Sequence, residues 1–416
     1  MIIIYRFFIN LILIFSPIII FVRLLKKKED FKRFKEKFTF FSKKRKSGNL
    51  IWFHGASVGE ILSVIPLIRK LKKNKNINQI LLTSSTVSSS KIFNQFRLRK
   101  TIHQFFPIDT NFFTKRFLSY WEPQLAIFIE SEIWPNILNN LEKRSVNKIL
   151  LNSRITKKSF RRWNILGKFS ENLFSSFNAT YPQNKETEKY LKKLKVKNIK
   201  KLGNLKFSND SLKQNLQLKK KLTKFLNKKK YWCAASTHDG EELICAKSHL
   251  KLQKKIKNFL TIIIPRHVQR TLQIKNDLSK LGLKTHLHSD SSKIKKDTQV
   301  YIVDTYGETK NFYNKCDIVF LGKSLCGEGG QNPLEPARLN CNVLYGPNIS
   351  NFKEIYELLR KKNIAFKING ENQLTKKILE TINKKIKSKE KNNKIDLIGK
   401  SILKKFLFEI EIFIKK

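Results

Sequence analysis

Methionine occurs once in these 416 residues, glycine 15 times and cysteine five times. The cysteines (Cys233, Cys245, Cys316, Cys326 and Cys341) form no Cys-x-x-Cys pair, and an odd number cannot all close into disulfides. That pattern excludes a disulfide-stapled secreted scaffold and a paired-thiolate zinc site. Buried free thiols in a reducing compartment are expected instead. The seven histidines show no metal-ligand spacing such as His-Glu-x-x-His, so no metal site is expected. Acidic residues are also scarce: 32 Asp and Glu stand against 85 Lys and Arg, a formal charge of +53. Such a balance attracts nucleic acid, anionic lipid and phosphorylated substrates. The Lys, Asn, Ile and Phe bias runs along the whole chain, however. The basic residues lack the aromatic spacing of a nucleic-acid module, so no nucleic-acid partner is expected. No internal repeat is visible.

What is present begins with an apolar run, IIIYRFFINLILIFSPIIIFV, over residues 2–22. It is long enough to cross a bilayer and is interrupted by Arg6, Asn10 and Pro17. No small-residue cleavage site follows, which argues against a removed signal peptide. Arg23 and Lys26, Lys27 and Lys28 follow instead, and positive charge on that flank places the remaining chain in the cytoplasm. Residues 1–25 are therefore expected to be a membrane anchor. Arg6 leaves a spanning and an interfacial helix both open.

Beyond the anchor, short apolar runs alternate with longer amphipathic ones. Strands are expected at 50–54, 80–84, 125–130, 148–152 and 179–181. A second set is expected at 231–235, 260–264, 300–304, 318–321, 342–345 and 365–368. Alternation of this kind implies an α/β chain with parallel sheets and crossover helices. A polar, Lys-rich stretch near 184–230 separates the two sets, and 416 residues suffice for two full cores. Two doubly wound, Rossmann-like domains facing a cleft are expected, over 30–210 and 211–390. Residues 384–394 read as a solvated linker and 395–416 as a closing helix.

In open parallel sheets, ligands bind past the C-terminal ends of the strands. Polar residues there are the site candidates. Glu60 follows the first strand, in HGASVGE; Ser57-x-x-Glu60 also matches a helix capping box. Glu130 and Glu132 follow LAIFI, and would point to opposite sides if extended. Lys206 lies at the domain junction, in GNLK. Pro265-Arg266 follows a second-domain strand, and arginine suits a phosphate. Gly307-Glu308 follows another. The stretch GGQNPLEPARLNCNVLYGPNISNF, residues 329–352, places two glycines before Pro333, which can start a helix, with Glu335 in the first turn. It reads as a nucleotide-holding loop or as an ordinary loop–helix–strand unit.

The ordered set WFHGASVGE (52–60), TSST (83–86), ESEIWPN (130–136), NSR (152–154), GNLKFS (203–208), AASTHDGEE (234–242), IPRH (264–267), DTYGE (304–308) and the 329–352 stretch resembles the Kdo (3-deoxy-D-manno-octulosonic acid) transferases of lipid A biosynthesis. The resemblance runs from the anchor to about residue 370. It implies a GT-B glycosyltransferase of the inner membrane, with its catalytic domains on the cytoplasmic side. It implies inverting, metal-independent transfer of Kdo from CMP-Kdo to a lipid A precursor, with no cofactor besides that donor. By position it implies Glu60 as general base, with Glu130 and Lys206 stabilising the transition state. It implies CMP contacts from Pro265, Arg266, Tyr306, Gly307, Glu308, Asn332, Pro333, Leu334 and Glu335. Gln331 stands where the family usually has His, Val268 where Pro is common, and Ser85 and Ser88–Ser90 depart from the usual Thr/Gly pattern. Two rival functions are another GT-B enzyme using a UDP-sugar, and a non-catalytic basic protein binding membrane or nucleic acid. Donor consumption separates the first; salt-sensitive DNA binding without sugar transfer would mark the second.

Overall fold

The structure, a computed structural model, describes residues 1–208, 216–383 and 389–414. The chain divides into two compact units, Met1–Ser211 with Ile398–Lys416, and Leu212–Leu397. The expected junction at 210/211 lies outside the described residues, as do 384–388 of the expected linker and 415–416 of the closing helix. Residues 389–394, expected as linker, instead open the last helix, Lys389–Ile414. Lys and Glu are good helix formers, and no Gly or Pro breaks the segment before Gly399.

The first unit contains β1 (Leu50–His54), β2 (Gln79–Ser84), β3 (Thr101–Phe105), β4 (Leu125–Ile129), β5 (Asn147–Ser153) and β6 (Ala179–Pro182). They pair in parallel in the order β3-β2-β1-β4-β5-β6. The second unit contains β7 (Lys230–Thr237), β8 (Phe259–Pro265), β9 (Thr285–Leu287), β10 (Val300–Ile302), β11 (Ile318–Leu321), β12 (Asn342–Tyr345) and β13 (Ala365–Lys367). Its order is β13-β12-β11-β7-β8-β10-β9, again parallel throughout. Helices cover both faces of such sheets, so the strands must be apolar on both sides. LIWFH, LAIFI and FLTIIIP are buried at every position.

The two halves share one core device. The Trp52 indole N–H on β1 donates to Thr83 Oγ1 on β2 at 2.9 Å, and Trp232 on β7 donates to Thr261 Oγ1 on β8 at 2.9 Å. Each buried indole thereby gains its partner inside the sheet. Two edge strands, β3 and β9, escape the sequence reading. β3 is TIHQF, too polar to read as a buried strand; its His103 ring and its Phe105 N–H find their partners only in the tertiary structure. Burial, with the charges of Arg33 and Lys43, pushes the His103 imidazole down to about 3. The neutral ring accepts from Arg33 at Nδ1 (3.0 Å) and donates to Ser84 Oγ from Nε2 (2.8 Å). The Phe105 N–H donates to the buried Glu36 carboxylate at 2.8 Å.

Among the described residues one helix, Ile2–Leu25, is long and apolar enough to cross a membrane.

Candidate active site

Each sheet order reverses beside its first strand, between β1 and β4 in one unit and between β7 and β11 in the other. Ligands of doubly wound sheets bind at such switch points, past the strand ends. Glu60 follows β1 and Glu130 follows β4, the two strands that flank the switch point of the first sheet.

Glu60 is the third residue of the helix Val58–Leu71. Ser57 caps that helix, accepting from Glu60 N. The Glu60 carboxylate in turn accepts from Ser57 Oγ at 2.8 Å and from Ala56 N at 2.7 Å. The capping box is therefore real, but it does not exhaust the residue. Burial, then the charges of Glu132 and Glu130, push the Glu60 carboxyl up to about 7, against the pull of the Ser57 and Ala56 hydrogen bonds. A cap that ionises near neutrality can also exchange a proton with a hydroxyl. Gly55 makes room for it: a Cβ there would lie 3.1 Å from the Glu60 Cβ and 3.0 Å from Ile129 Cδ1.

Glu130 was expected to end a strand; it stands one residue beyond β4, in the left-handed region at φ 56°. That turn is held by Glu130 N donating to Leu151 O (3.0 Å) and by Arg154 N donating to Glu130 O (3.2 Å). Left-handed backbone at a non-glycine residue costs on the order of 1–3 kcal/mol and persists only where its surroundings enforce it. The turn matters because Glu130 and Glu132 no longer alternate as in a strand. Both carboxylates stand near enough to act on Glu60. Glu132 is gripped by His54 Nε2 at 3.1 Å and by the Trp134 indole N–H at 2.9 Å. A carboxylate only accepts there, so His54 carries a proton on Nε2. Burial alone would raise the Glu132 carboxyl; the hydrogen bonds and charge of His54, with Trp134, bring it below its ordinary value.

The Lys206 ammonium sits 2.6 Å from Glu130 Oε1. Its position depends on the short turn Leu205–Ser208. Asn152 Oδ1 accepts from Leu205 N at 2.9 Å, and Asn204 Oδ1 from Lys206 N at 3.0 Å. The last helix braces the same turn. A Cβ on Gly399 would lie 2.1 Å from Phe207 O, so only glycine permits that approach. Farther along, Glu409 of this helix accepts from Tyr181 OH at 3.0 Å. Glu60, Glu130, Glu132 and Lys206 thus gather in one unit.

In the second unit, Arg266 follows β8 with its side chain exposed, and its N–H donates to Thr237 O at 3.0 Å. Tyr306 is exposed, Gly307 is left-handed at φ 91°, and Glu308 accepts from Asn311 Nδ2 at 2.8 Å. Gln269, just past Arg266, reaches Tyr306 OH at 3.4 Å. Pro333 does not start the helix but immediately precedes it; the helix is Leu334–Arg338, five residues only. Its Glu335 faces Lys310 at 3.3 Å, joining the 306–310 and 332–335 segments. The two glycines before it have no alternative: both are left-handed, and a Cβ on Gly329 would lie 2.2 Å from Asn351 Nδ2.

Sequence reasoning passed over Glu241. This fully buried carboxylate accepts from five backbone N–H groups. Oε2 takes His238 (2.9 Å) and Lys323 (2.8 Å). Oε1 takes Ser324 (3.1 Å), Leu325 (3.0 Å) and Cys326 (3.4 Å). It ties the loop after β7 to the loop after β11. Its neighbour Glu242 pairs with Arg270 at 3.1 Å, and Arg270 also holds Asp239 at 2.6 Å. The available signal was scarcity: three acids in DGEE stand out in a chain this basic. The thiols need one correction. Cys233, Cys245, Cys316 and Cys341 are buried and free, whereas Cys326 is free but exposed, because the Glu241-held loop turns it outward.

A family model for 3-deoxy-D-manno-octulosonic-acid transferase (kdotransferase) matches residues 32–209. The 3-deoxy-D-manno-octulosonic acid transferase of Rickettsia bellii (strain RML369-C) is 34% identical over 370 residues, covering 89% of this chain and 88% of that one. The protein of the same name from Haemophilus influenzae is 29% identical over 412 residues, covering 95% and 94%. Among solved structures, UDP-GlcNAc 2-epimerase from Neisseria meningitidis bound to UDP-GlcNAc aligns with a TM-score of 0.58 at 14% identity. That alignment covers 86% of this chain and 99% of the epimerase, so the two share a fold, the GT-B pairing of Rossmann-like halves. With the relatives covered nearly end to end, the chain belongs to the Kdo transferase family and is a glycosyltransferase.

Proposed function

We propose that the enzyme moves Kdo from CMP-Kdo to a lipid A precursor of the lipid IVA type, with inversion and without a metal or cofactor. The first unit supplies the chemistry and the second holds the donor. Glu60 takes the proton of the acceptor hydroxyl as its oxygen attacks the anomeric carbon of Kdo. The bond from that carbon to the phosphate oxygen breaks, and CMP leaves with the electron pair. Lys206, steadied by Glu130, balances charge around the reacting sugar. Arg266 takes the phosphate, and Tyr306 to Glu308 with Asn332 to Glu335 take the nucleoside. The cytoplasmic face of the inner membrane is where such an acceptor is reached. The observation that carries this reading is the Glu60 carboxyl, raised to about 7 beside the Lys206–Glu130 pair. The names of the relatives support Kdo as the sugar moved.

The direct test supplies a lipid A precursor with CMP-Kdo or with UDP-sugars and weighs the lipid product. A mass gain of one or more Kdo units from CMP-Kdo alone is expected; consumption of a UDP-sugar instead would overturn the donor assignment. The pH profile is a second check. A base must be ionised to act, so kcat/KM should climb with pH through about 7 and level off above it. A flat profile from pH 5.5 to 8.5 would remove Glu60 from that role. Arg266→Ala should raise the KM for CMP-Kdo by roughly tenfold to a hundredfold, the usual worth of a charged phosphate contact. An unaltered KM would take Arg266 out of the donor site.

A further inference from the structure

The helix Ile2–Leu25 is buried along one stripe only. Tyr5, Ile9, Leu13, Ser16, Ile20 and Leu24 recur at helical spacing and are covered or half-covered by the first unit. Phe8, Leu11, Phe15, Ile18, Phe21 and Leu25 lie on the exposed remainder. Both ends are pinned to the same compact unit. At the start, Tyr5 OH donates to Asp109 Oδ2 at 2.8 Å, and Arg6 Nε to Asn136 Oδ1 at 2.9 Å. At the end, Arg23 donates to the buried Glu29 at 2.7 Å, and Glu29 also holds Lys37 at 2.7 Å.

A helix of this length rises about 36 Å, the thickness of a bilayer's hydrocarbon core and more. If it spanned, its first turn would lie across the membrane from Asp109 and Asn136, and Arg6 would be stranded without them. We propose that residues 2–25 do not span but lie in the plane of an anionic lipid leaflet, with the stripe on the enzyme and the exposed apolar face in the lipid. The occupant follows from charge as well as hydropathy. Lys26, Lys27 and Lys28 are exposed directly after the helix, at the level where acidic headgroups would stand. The clamp has a second consequence. Asp109 also accepts from Asn136 N and Ile137 N at 2.9 Å each, in the segment that continues from Glu130 and Glu132. The lipid-facing helix and the candidate active site are thus fastened to one short stretch of chain. This inference rests on the membrane association proposed above.

The experiment uses the full-length chain with Cys326→Ser, which removes the exposed thiol. Nitroxide labels are attached singly through Ile4→Cys, Leu11→Cys, Ile18→Cys and Leu25→Cys, four exposed positions on one helix face. The protein is bound to vesicles of phosphatidylglycerol and phosphatidylethanolamine, and label depth is read from oxygen against nickel-chelate collisions. All four labels are expected at one shallow depth, about 5–10 Å below the headgroups. In unlabelled samples of the same variants, none of the four thiols should react with an impermeant thiol reagent enclosed in the vesicles. Deep labels at 11 and 18 flanked by shallow ones at 4 and 25, with position 4 reached from the enclosed side, would overturn the proposal. Failure to bind these vesicles would overturn it too. Kdo transfer by the same proteins in detergent is scored separately, so a wrong orientation and a wrong reaction give different results.

Discussion

Glu60→Gln should lower Kdo transfer by roughly 10²–10⁴-fold, the range for loss of a general base. The amide keeps the size of the side chain and can still accept at one oxygen, so the helix start should survive with about 1 kcal/mol or less of change. Stability as a function of pH offers an independent readout. Because the folded-state carboxyl is raised to about 7, its contribution to stability is fully present below its ordinary, unfolded value. That contribution is lost as pH rises through about 7. Glutamine does not titrate, so the variant should gain on the wild type in melting temperature between pH 5 and pH 8. A Glu60→Gln enzyme that transfers at close to the wild-type rate would sink the mechanism. A melting-temperature difference independent of pH would show that Glu60 is not held in the buried, charge-crowded setting described here.

Glu241→Gln is expected to have the largest effect on stability. Five N–H groups converge on two carboxylate oxygens. An amide presents one oxygen and one NH2, so whichever way it turns at least two of those donors face another donor. Two buried, charge-assisted bonds lost together should cost about 3–5 kcal/mol. Urea unfolding of the full chain measures it. Donor binding should fall with stability, because the 323–326 loop leads into Gly329 and Asn332. Gly322 shows how tightly the carboxylate is built in: a Cβ there would lie 2.6 Å from Glu241 Oε2. Glu242→Gln is the control, since that residue pairs with Arg270 alone, and should cost much less. Equal effects of the two substitutions would mean that Glu241 does not organise the loop.

The chain's charge imbalance gives these carboxylates a common logic. Glu29, Glu36, Asp109, Glu130, Glu241 and Glu242 are all buried despite the scarcity of acids. Burying a carboxylate is unfavourable unless hydrogen bonds or a partner charge compensate it. Each has them: Glu36 takes Arg33 and Phe105 N, Asp109 takes Tyr5 and two backbone N–H groups, Glu130 takes Lys206. In a chain where most charge is a solvated lysine, the rare acid marks a place where structure or chemistry is concentrated.

The two parallel sheets were legible in the sequence because buried strands with helices on both faces must be continuous apolar runs. LIWFH, LAIFI and IVFL state their structure locally. The motif order likewise carried the family, and Glu60, Glu130 and Arg266 do lie past the strand ends where the sequence placed them as candidates. Edge strands β3 and β9 were not legible: THL is too short to show a pattern, and in TIHQF the partners of the His103 ring and the Phe105 N–H, which are Arg33, Ser84 and Glu36, come from elsewhere in the chain. The roles of Glu132 and Glu241 were hidden for the same reason. Spacing along the chain says that Glu130 and Glu132 point apart; the left-handed turn at Glu130 decides otherwise. The sequence shows that residues 2–22 are apolar, and by itself it allows them to cross a membrane. Only the tertiary structure shows that Tyr5, Arg6 and Arg23 hold both ends of that helix on one body, because hydropathy records what a segment can be buried in and not what it is fastened to.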